Sequence, residues 1–305
     1  MNVFVTGGSG YTGSIVIRHL IERGHKVVAL ARRLPAPVPG DEGVIEWRVG
    51  DFSNGPLISE MARAADAVIH IGASHDAEME RLDRIVIDAI ADGLAGTGRA
   101  FISTSATPVY GDTGPVPRDE HEPIEHPHPL RAWRARHDQH VVALSGRGIR
   151  GIVVRPPYIY GRAGGLLSDS IKQARSTGRA LYIGDGQNWT SVVHVDALAR
   201  LYSLTLEEER AEGIYNAASD EIVRGADIAT AIAATFGPGI EPWSWPLAEA
   251  RAELGELADL AVITCIASSD RARSHLGWVP TSPSIISELI GGSYRTGPLL
   301  DYHNR

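Results

Sequence analysis

The residues Met1-Asn-Val-Phe-Val-Thr-Gly-Gly-Ser-Gly-Tyr-Thr-Gly13 decide how the rest of the chain is read. Val3, Phe4 and Val5 form a short apolar run suited to a buried strand. Gly7, Gly10 and Gly13 follow at intervals of three, and Ile15, Val16 and Leu20 then recur at helical spacing. A strand, a glycine turn and a helix, in that order, make a phosphate site. Glycines let the backbone turn tightly and approach a pyrophosphate, whose charge meets free N–H groups and the positive end of the helix dipole. A glycine triplet alone is weak evidence; here the strand before it and the amphipathic helix after it supply the context. The residues expected to surround the phosphates are Gly7, Ser9, Gly10, Tyr11, Thr12 and Gly13.

The pattern continues outward from this turn. The first helix is expected to end near Gly24, a residue suited to a left-handed cap. Lys26 to Ala31 reads as a second buried strand. A site for NAD usually places an acidic side chain about twenty residues beyond the glycines, on the ribose 2′-hydroxyl. Arg32 and Arg33 occupy that place instead, and two guanidinium groups would attract a 2′-phosphate. NADP(H) is therefore the preferred cofactor, with NAD(H) as the alternative. Val44 to Val49 reads as a third strand, closed by Gly50, Asp51 and Phe52, where a carboxylate and an aromatic ring could meet the adenine. Ala67 to Ala73 is a fourth, ending in the small residues Ile71-Gly72-Ala73 that let a dinucleotide cross the strand tips. His70, in an apolar run, reads as a satisfied core histidine. Met79 to Ile90 returns to helical spacing, and Arg99 to Ser105 is a fifth strand. Strands alternating with helices require parallel pairing and right-handed crossovers, and such sheets bind ligands beyond the strand C-termini.

Composition narrows the class. With 305 residues, 43% hydrophobic and 22% charged, a packed core is expected. A net charge of −8 argues against a nucleic-acid surface. No apolar run reaches membrane-spanning length, and the N-terminus reads as a core strand, so a cytoplasmic protein is expected. The single Cys265 lies in an apolar stretch and reads as a buried bystander.

The sequence resembles the extended short-chain dehydrogenase/reductase superfamily, the group that contains sugar-nucleotide epimerases and dehydratases. The matching segments are Thr6 to Gly13, Gly50-Asp51, His70 to Ala73, Ser103 to Asp112, Arg155-Pro-Pro-Tyr-Ile-Tyr-Gly161, Gly184 to Asp196, Tyr215-Asn-Ala217 and Leu276-Gly-Trp-Val-Pro280. The resemblance implies an α/β fold: a Rossmann-type doubly wound parallel sheet with a smaller, discontinuous C-terminal substrate lobe. The cofactor lobe would be residues 1–155 joined by 187–217, and the substrate lobe 156–186 with 218–305. It adds Ser103, Pro156 and Tyr158 to the cofactor-binding residues. Tyr158, with Tyr110, flanks the expected cleft.

The resemblance breaks at the catalytic helix. Members carry a Tyr-x-x-x-Lys dyad, in which tyrosine handles the proton while lysine lowers its pKa and holds the nicotinamide ribose. The tyrosine position falls on Leu130, the lysine position on Arg134, and the acidic residue four further on is Asp138. Leucine moves no proton, and arginine is effectively always charged. The resemblance is thus to the atypical branch without the dyad. Ser105 takes the family's hydroxyl position and could orient a substrate oxygen; Arg134 could hold the ribose; Tyr158, the histidines 121, 126 and 128, or water would supply the proton. No metal site is expected, since His126-Pro-His128 lacks a convergent third ligand.

In the second half, Ile149 to Arg155 reads as a sixth strand and Leu166 to Thr177 as a helix. Ser191 to His194 is expected to return to the cofactor lobe, with Asp196 capping the next helix. Trp243 and Trp245 are expected on a proline-bounded loop. The functional expectation is an NADP(H)-binding oxidoreductase acting on a small carbonyl or alcohol substrate. A non-catalytic dinucleotide sensor, or a sugar-nucleotide epimerase or dehydratase, are the alternatives. The partners are a small-molecule substrate and neither nucleic acid nor membrane, and a homodimer is allowed.

Overall fold

The structure is a computed structural model that describes residues 1–35, 43–73 and 77–300. Apolar strands alternate with amphipathic helices through the first half. β1 (Asn2–Thr6) leads through the glycine turn to α1 (Tyr11–Glu22), which ends before Gly24, and β2 (Lys26–Ala31) follows. β3 (Ile45–Val49), α2 (Gly55–Ala64), β4 (Ala67–His70), α3 (Met79–Leu94) and β5 (Ala100–Thr104) continue the rhythm. A long loop and a short 3-10 turn over Pro129–Arg131 precede α4 (Ala132–Ala143) and β6 (Arg150–Arg155).

The chain then builds a second layer of elements. β7 (Tyr158–Tyr160), α5 (Gly165–Thr177), β8 (Arg179–Ile183) and β9 (Trp189–His194) lead to α6 (Val195–Glu207) and β10 (Gly213–Asn216). After these come β11 (Ile222–Arg224), α7 (Gly225–Phe236), β12 (Glu241–Trp245), α8 (Leu247–Leu254) and α9 (Glu256–Leu260). α10 (Asp270–Leu276), α11 (Ile285–Gly291) and α12 (Ser293–Thr296) complete the described chain.

Seven parallel strands form the main sheet in the order β10-β6-β5-β4-β1-β2-β3. Side chains alternate across the pleat and divide the core in two. Val3 and Val5 face α1 and α6, in a layer with Leu20, Leu198, Leu201 and Trp278. Phe4, Val68 and Phe101 face α2, α3 and α4, with Ile58, Ile87, Ile90 and Val141. The smaller layer holds a three-stranded sheet, β11-β9-β7, and the pair β12-β8, around a third core that includes Leu167, Ile171, Val192, Ile232 and Leu289.

Three expectations need correction. β9 pairs with β7 and β11 rather than with the large sheet; only Val193 reaches the main core, and it is β10 that supplies the seventh strand. His194, not Asp196, caps α6: its Nδ1 accepts from the Asp196 N–H at 3.2 Å, and Asp196 sits in the first turn. Trp243 and Trp245 lie on a strand, because Glu241 to Trp245 runs in register beside Arg179 to Ile183. The prolines at 242 and 246 hide that strand in the sequence, since they punctuate rather than pattern it.

Trp278 is fully buried, and its indole N–H donates to the Ala197 carbonyl at 2.9 Å, pinning the C-terminal segment to α6. Trp278→Ala is expected to cost about 3–5 kcal/mol of stability, read from the urea unfolding midpoint. A loss under about 1 kcal/mol would show that the segment does not depend on this anchor.

Candidate functional site

Parallel pairing brings every C-terminal strand end to one edge, and that edge opens on the glycine turn. Gly7 takes φ +75°, and a Cβ there would overlap the backbone of Gly72 beyond β4. A Cβ at Gly13 would overlap the Gly7 carbonyl. The turn is thus closed on itself and against β4 by backbone alone. Gly10 N–H donates to Gly7 O at 3.1 Å, and Ile71 N–H to Thr6 O at 3.2 Å. Ser9, Tyr11 and Thr12 are partly exposed around the start of α1, where no side chain caps the helix. The Tyr11 hydroxyl donates to Gly161 O at 2.8 Å and ties this helix to the loop after β7. Among the described residues no side chain caps the first N–H groups of α1, and they lie beside Gly7 and Gly13, which leave no room for a Cβ, the arrangement in which helix starts receive anions.

Along the same edge, Arg32 and Arg33 are exposed just beyond β2. Asp51 accepts from the Ser53 hydroxyl at 2.5 Å and the Ser53 N–H at 2.8 Å, and these bonds, with a contribution from Arg32, hold its carboxyl below the usual range. Phe52 covers Gly72 and meets the His70 ring edge-on at 5.6 Å. Ile71, Gly72 and Ala73 remain partly exposed at the tip of β4, while Ser103 is buried opposite His70 in the register of β4 and β5. Pro156 is buried and its carbonyl accepts from the Thr107 N–H at 3.0 Å.

The catalytic positions are arranged differently from a Tyr/Lys dyad. Leu130 lies in the 3-10 turn, one element before the helix that carries Arg134. Arg134 donates from Nη1 to the Thr104 carbonyl at 3.3 Å, so its guanidinium reaches the end of β5. Ser105 is buried and its hydroxyl donates to Asp138 Oδ2 at 2.9 Å. The same oxygen takes the Arg155 Nε–H at 2.8 Å. Arg155 also donates to the Tyr110 hydroxyl at 2.9 Å, which donates to Asn216 Oδ1 at 3.0 Å. Ser105 and Tyr110 thus belong to one buried network that joins β5, α4, β6 and β10. Tyr158 stands in β7 beside Ser170 of α5, and burial pushes its hydroxyl well above the ordinary tyrosine range. His128 is buried and uses Nδ1 to accept the Leu130 N–H at 3.3 Å, whereas His121 and His126 are exposed. Burial pushes the Cys265 thiol up to about 11, as fits a bystander. Among the described residues no group of three potential metal ligands converges, and no helix is long and apolar enough to cross a membrane.

A second buried network lies directly behind the glycine turn. The Thr6 hydroxyl and His70 Nδ1 are 2.5 Å apart, His70 Nε2 is 3.1 Å from Asp83 Oδ1, and Asp83 Oδ2 is 2.6 Å from His137 Nδ1. His70 is the satisfied core histidine that its apolar strand implies, but its partners were not legible. Asp83 and His137 come from helices 13 and 67 residues further on, and only their polarity on buried helical faces marks them. Burial alone would raise the Asp83 carboxyl; hydrogen bonds from His137 and His70, with the charge of His70, overcome it and hold the group well below the usual range. A lowered folded pKa gives stability that is present above the unfolded carboxylate value and lost as pH falls towards the folded one. Asp83→Asn is therefore expected to lose about 3 kcal/mol or more at pH 7, with the gap to the parent protein closing as pH falls below about 4. Urea unfolding at several pH values measures it; a constant gap would contradict the assignment.

Comparison with known proteins fits this geometry. The model of the "NAD dependent epimerase/dehydratase family" matches residues 3–218. The chain is 30% identical to the uncharacterized protein C2A9.02 of Schizosaccharomyces pombe, over 96% of this chain and 100% of that one. It is 27% identical to a 2-alkyl-3-oxoalkanoate reductase of Stenotrophomonas maltophilia, over 68% of this chain and 66% of that one. Among solved structures, Thermus thermophilus UDP-glucose 4-epimerase in complex with NAD superposes with a TM-score of 0.78 at 19% identity, covering 97% of each chain. That last likeness concerns the fold.

Proposed function

The chain belongs to the NAD dependent epimerase/dehydratase family, and on that footing we propose that it is an NADP(H)-binding oxidoreductase acting on a small carbonyl or alcohol substrate. The observation that carries the reading is the glycine turn, closed against Gly72 so that only backbone faces the start of α1. The cofactor lobe is residues 1–155 with 187–217, of which β9 pairs into the sheet of the smaller layer, and the substrate lobe is 156–186 with 218–305. Gly7, Ser9, Gly10, Tyr11, Thr12 and Gly13 take the pyrophosphate. Arg32 and Arg33 take the 2′-phosphate, and Asp51, Phe52, Ile71, Gly72, Ala73, Ser103 and Pro156 line the remaining course. When bound, the dinucleotide supplies or accepts a hydride.

The protein's own part is positioning. Arg134 holds the nicotinamide ribose or the substrate oxygen as a permanent cation. Ser105, already donating to Asp138, has lone pairs with which it can accept from an alcohol. With Leu130 in place of tyrosine, the proton passes to or from water. A second reading, dinucleotide binding without turnover, is favoured by that same leucine. Epimerase or dehydratase chemistry is weakened by it, since such chemistry needs a proton-active group beside the sugar.

Fluorescence titration of the purified protein with NADPH and NADH tests the binding. NADPH is expected to bind at least about tenfold more tightly, and Arg32→Asp combined with Arg33→Ser to remove that preference while changing NADH little. Absence of binding by either dinucleotide would sink the reading; equal binding would sink only the arginine assignment. NADPH oxidation against a carbonyl panel separates enzyme from sensor. Leu130→Tyr with Arg134→Lys is expected to raise the rate by about a hundredfold, the usual worth of a positioned general acid, in the same spectrophotometric assay. No gain would mean that more than the dyad is missing.

A further inference from the structure

A cation removed from water without a counter-charge is expensive, because protein interiors solvate it poorly. Arg131 is in that position, and among the described residues Arg134 is offset only by Asp83 and Asp138, carboxylates already bonded to other partners. Three residues apart where the 3-10 turn enters α4, they fall on the same side of the chain. Arg134 reaches the Thr104 carbonyl at the end of β5 and lays its guanidinium 4.4 Å from the centre of the Trp133 ring. Among the described residues, the Arg131 side chain donates to its neighbour's carbonyl, Leu130 O, at 3.2 Å and to no carboxylate. Both are partly buried. Burial lowers the pKa of each, and the charge of Arg134 lowers that of Arg131 further.

Neighbouring arginines are treated differently. Arg136 pairs with Glu80, Arg147 with Asp92 and Arg155 with Asp138. The carboxylates whose charge reaches Arg134 are Asp83 and Asp138. Asp83 is bonded to His70 and His137, and Asp138 to Ser105 and Arg155. Among the described residues no carboxylate offsets Arg131. Two forked donors therefore stand close together at the start of α4, one of them reaching the strand edge, and among the described residues neither has an ion pair.

We propose that Arg131 and Arg134 receive a carboxylate of the substrate, so that Arg134 serves the substrate rather than the ribose, which makes the substrate an oxo acid and the product the corresponding hydroxy acid. This rests on the redox reading above. A guanidinium fork matches a carboxylate in two parallel hydrogen bonds, and a partly dry site strengthens them. In the reductive direction, the carbonyl carbon accepts a hydride from NADPH and the carbonyl oxygen accepts a proton from water. The products are the hydroxy acid, NADP⁺ and hydroxide, and the carboxylate is unchanged. A sugar nucleotide carries its charge on a diphosphate, remote from the reacting sugar, and would not place an anion here.

The test compares acids with their uncharged esters on the full-length protein. Turnover of NADPH is measured with 2-oxobutanoate and 3-oxohexanoate and with their methyl esters. Binding of 3-hydroxybutyrate, its methyl ester and UDP-glucose to the NADP⁺-loaded protein is measured by calorimetry. The acids are expected to exceed the esters by about tenfold or more in kcat/KM or affinity. Arg131→Gln is expected to erase that margin by raising KM for the acid, while leaving the ester and the Kd for NADPH unchanged, which a merely structural arginine would not do. Esters equal to acids, an unchanged margin in Arg131→Gln, preferential binding of UDP-glucose, or no binding by any acid to the dinucleotide-loaded protein would each overturn the proposal. A protein that binds no dinucleotide at all would instead remove the redox reading, and the proposal with it.

Discussion

The carboxyl edge of the sheet depends on how closely the Gly7–Gly13 turn lies against the end of β4. Gly7 and Gly72 meet backbone to backbone, with no room for a methyl group. Any side chain at either place would lift the turn off the sheet and rotate the first N–H groups of α1 away from the strand tips. The same contact sets the depth of the cleft, because Phe52 closes over Gly72 from one side and Tyr11 reaches Gly161 on the other. Two short polar networks then support the edge from behind. One runs from Thr6 through His70 and Asp83 to His137; the other runs from Ser105 through Asp138, Arg155 and Tyr110 to Asn216. Both tie α4 to the strands, so the helix that carries Arg134 is held at two levels. Within such networks each bonded member would be left unpaired by the loss of its neighbour, which holds the group in place.

Much of this was legible in the amino-acid order, and the reasons are physical. Strands buried on both faces leave continuous apolar runs, so Val3 to Val5, Lys26 to Ala31 and Ile149 to Arg155 point directly to β1, β2 and β6. The glycine spacing marked the turn because its geometry tolerates no other residue. β12 was not legible: two tryptophans and two prolines in six residues carry no alternation, and its strand identity comes from pairing with β8, sixty residues away. The α6 cap was misread for a related reason. His194 and Asp196 both have side chains able to cap, and the choice rests on backbone angles at His194 that composition does not encode. The polar networks were the least legible part, since each links residues on three or four elements that only folding brings together.

The catalytic helix shows a fold kept while its chemistry changes. A tyrosine at position 130 would stand in the 3-10 turn that leads into α4, and here that turn presents leucine and a partly buried arginine instead. The neighbouring carboxylate, Asp138, keeps its place and its arginine partner inside the core. Scaffold and reacting groups therefore rest on different residues of one helix: His137 and Asp138 face inward and hold it, while Arg134 reaches the strand edge. Such a division lets the outward positions vary without loss of packing.

β10 is contributed by residues far along the chain, yet it completes the sheet beside β6, whose Ile152, Val153 and Val154 are wholly enclosed. Until Gly213 to Asn216 has left the ribosome, that apolar ribbon has an open flank, with amide and carbonyl groups free to zip onto another molecule. The nascent protein thus spends some sixty residues of synthesis with its stickiest border uncovered, at elongation rates of about 5–20 residues per second. Holdase chaperones would find their target in that interval.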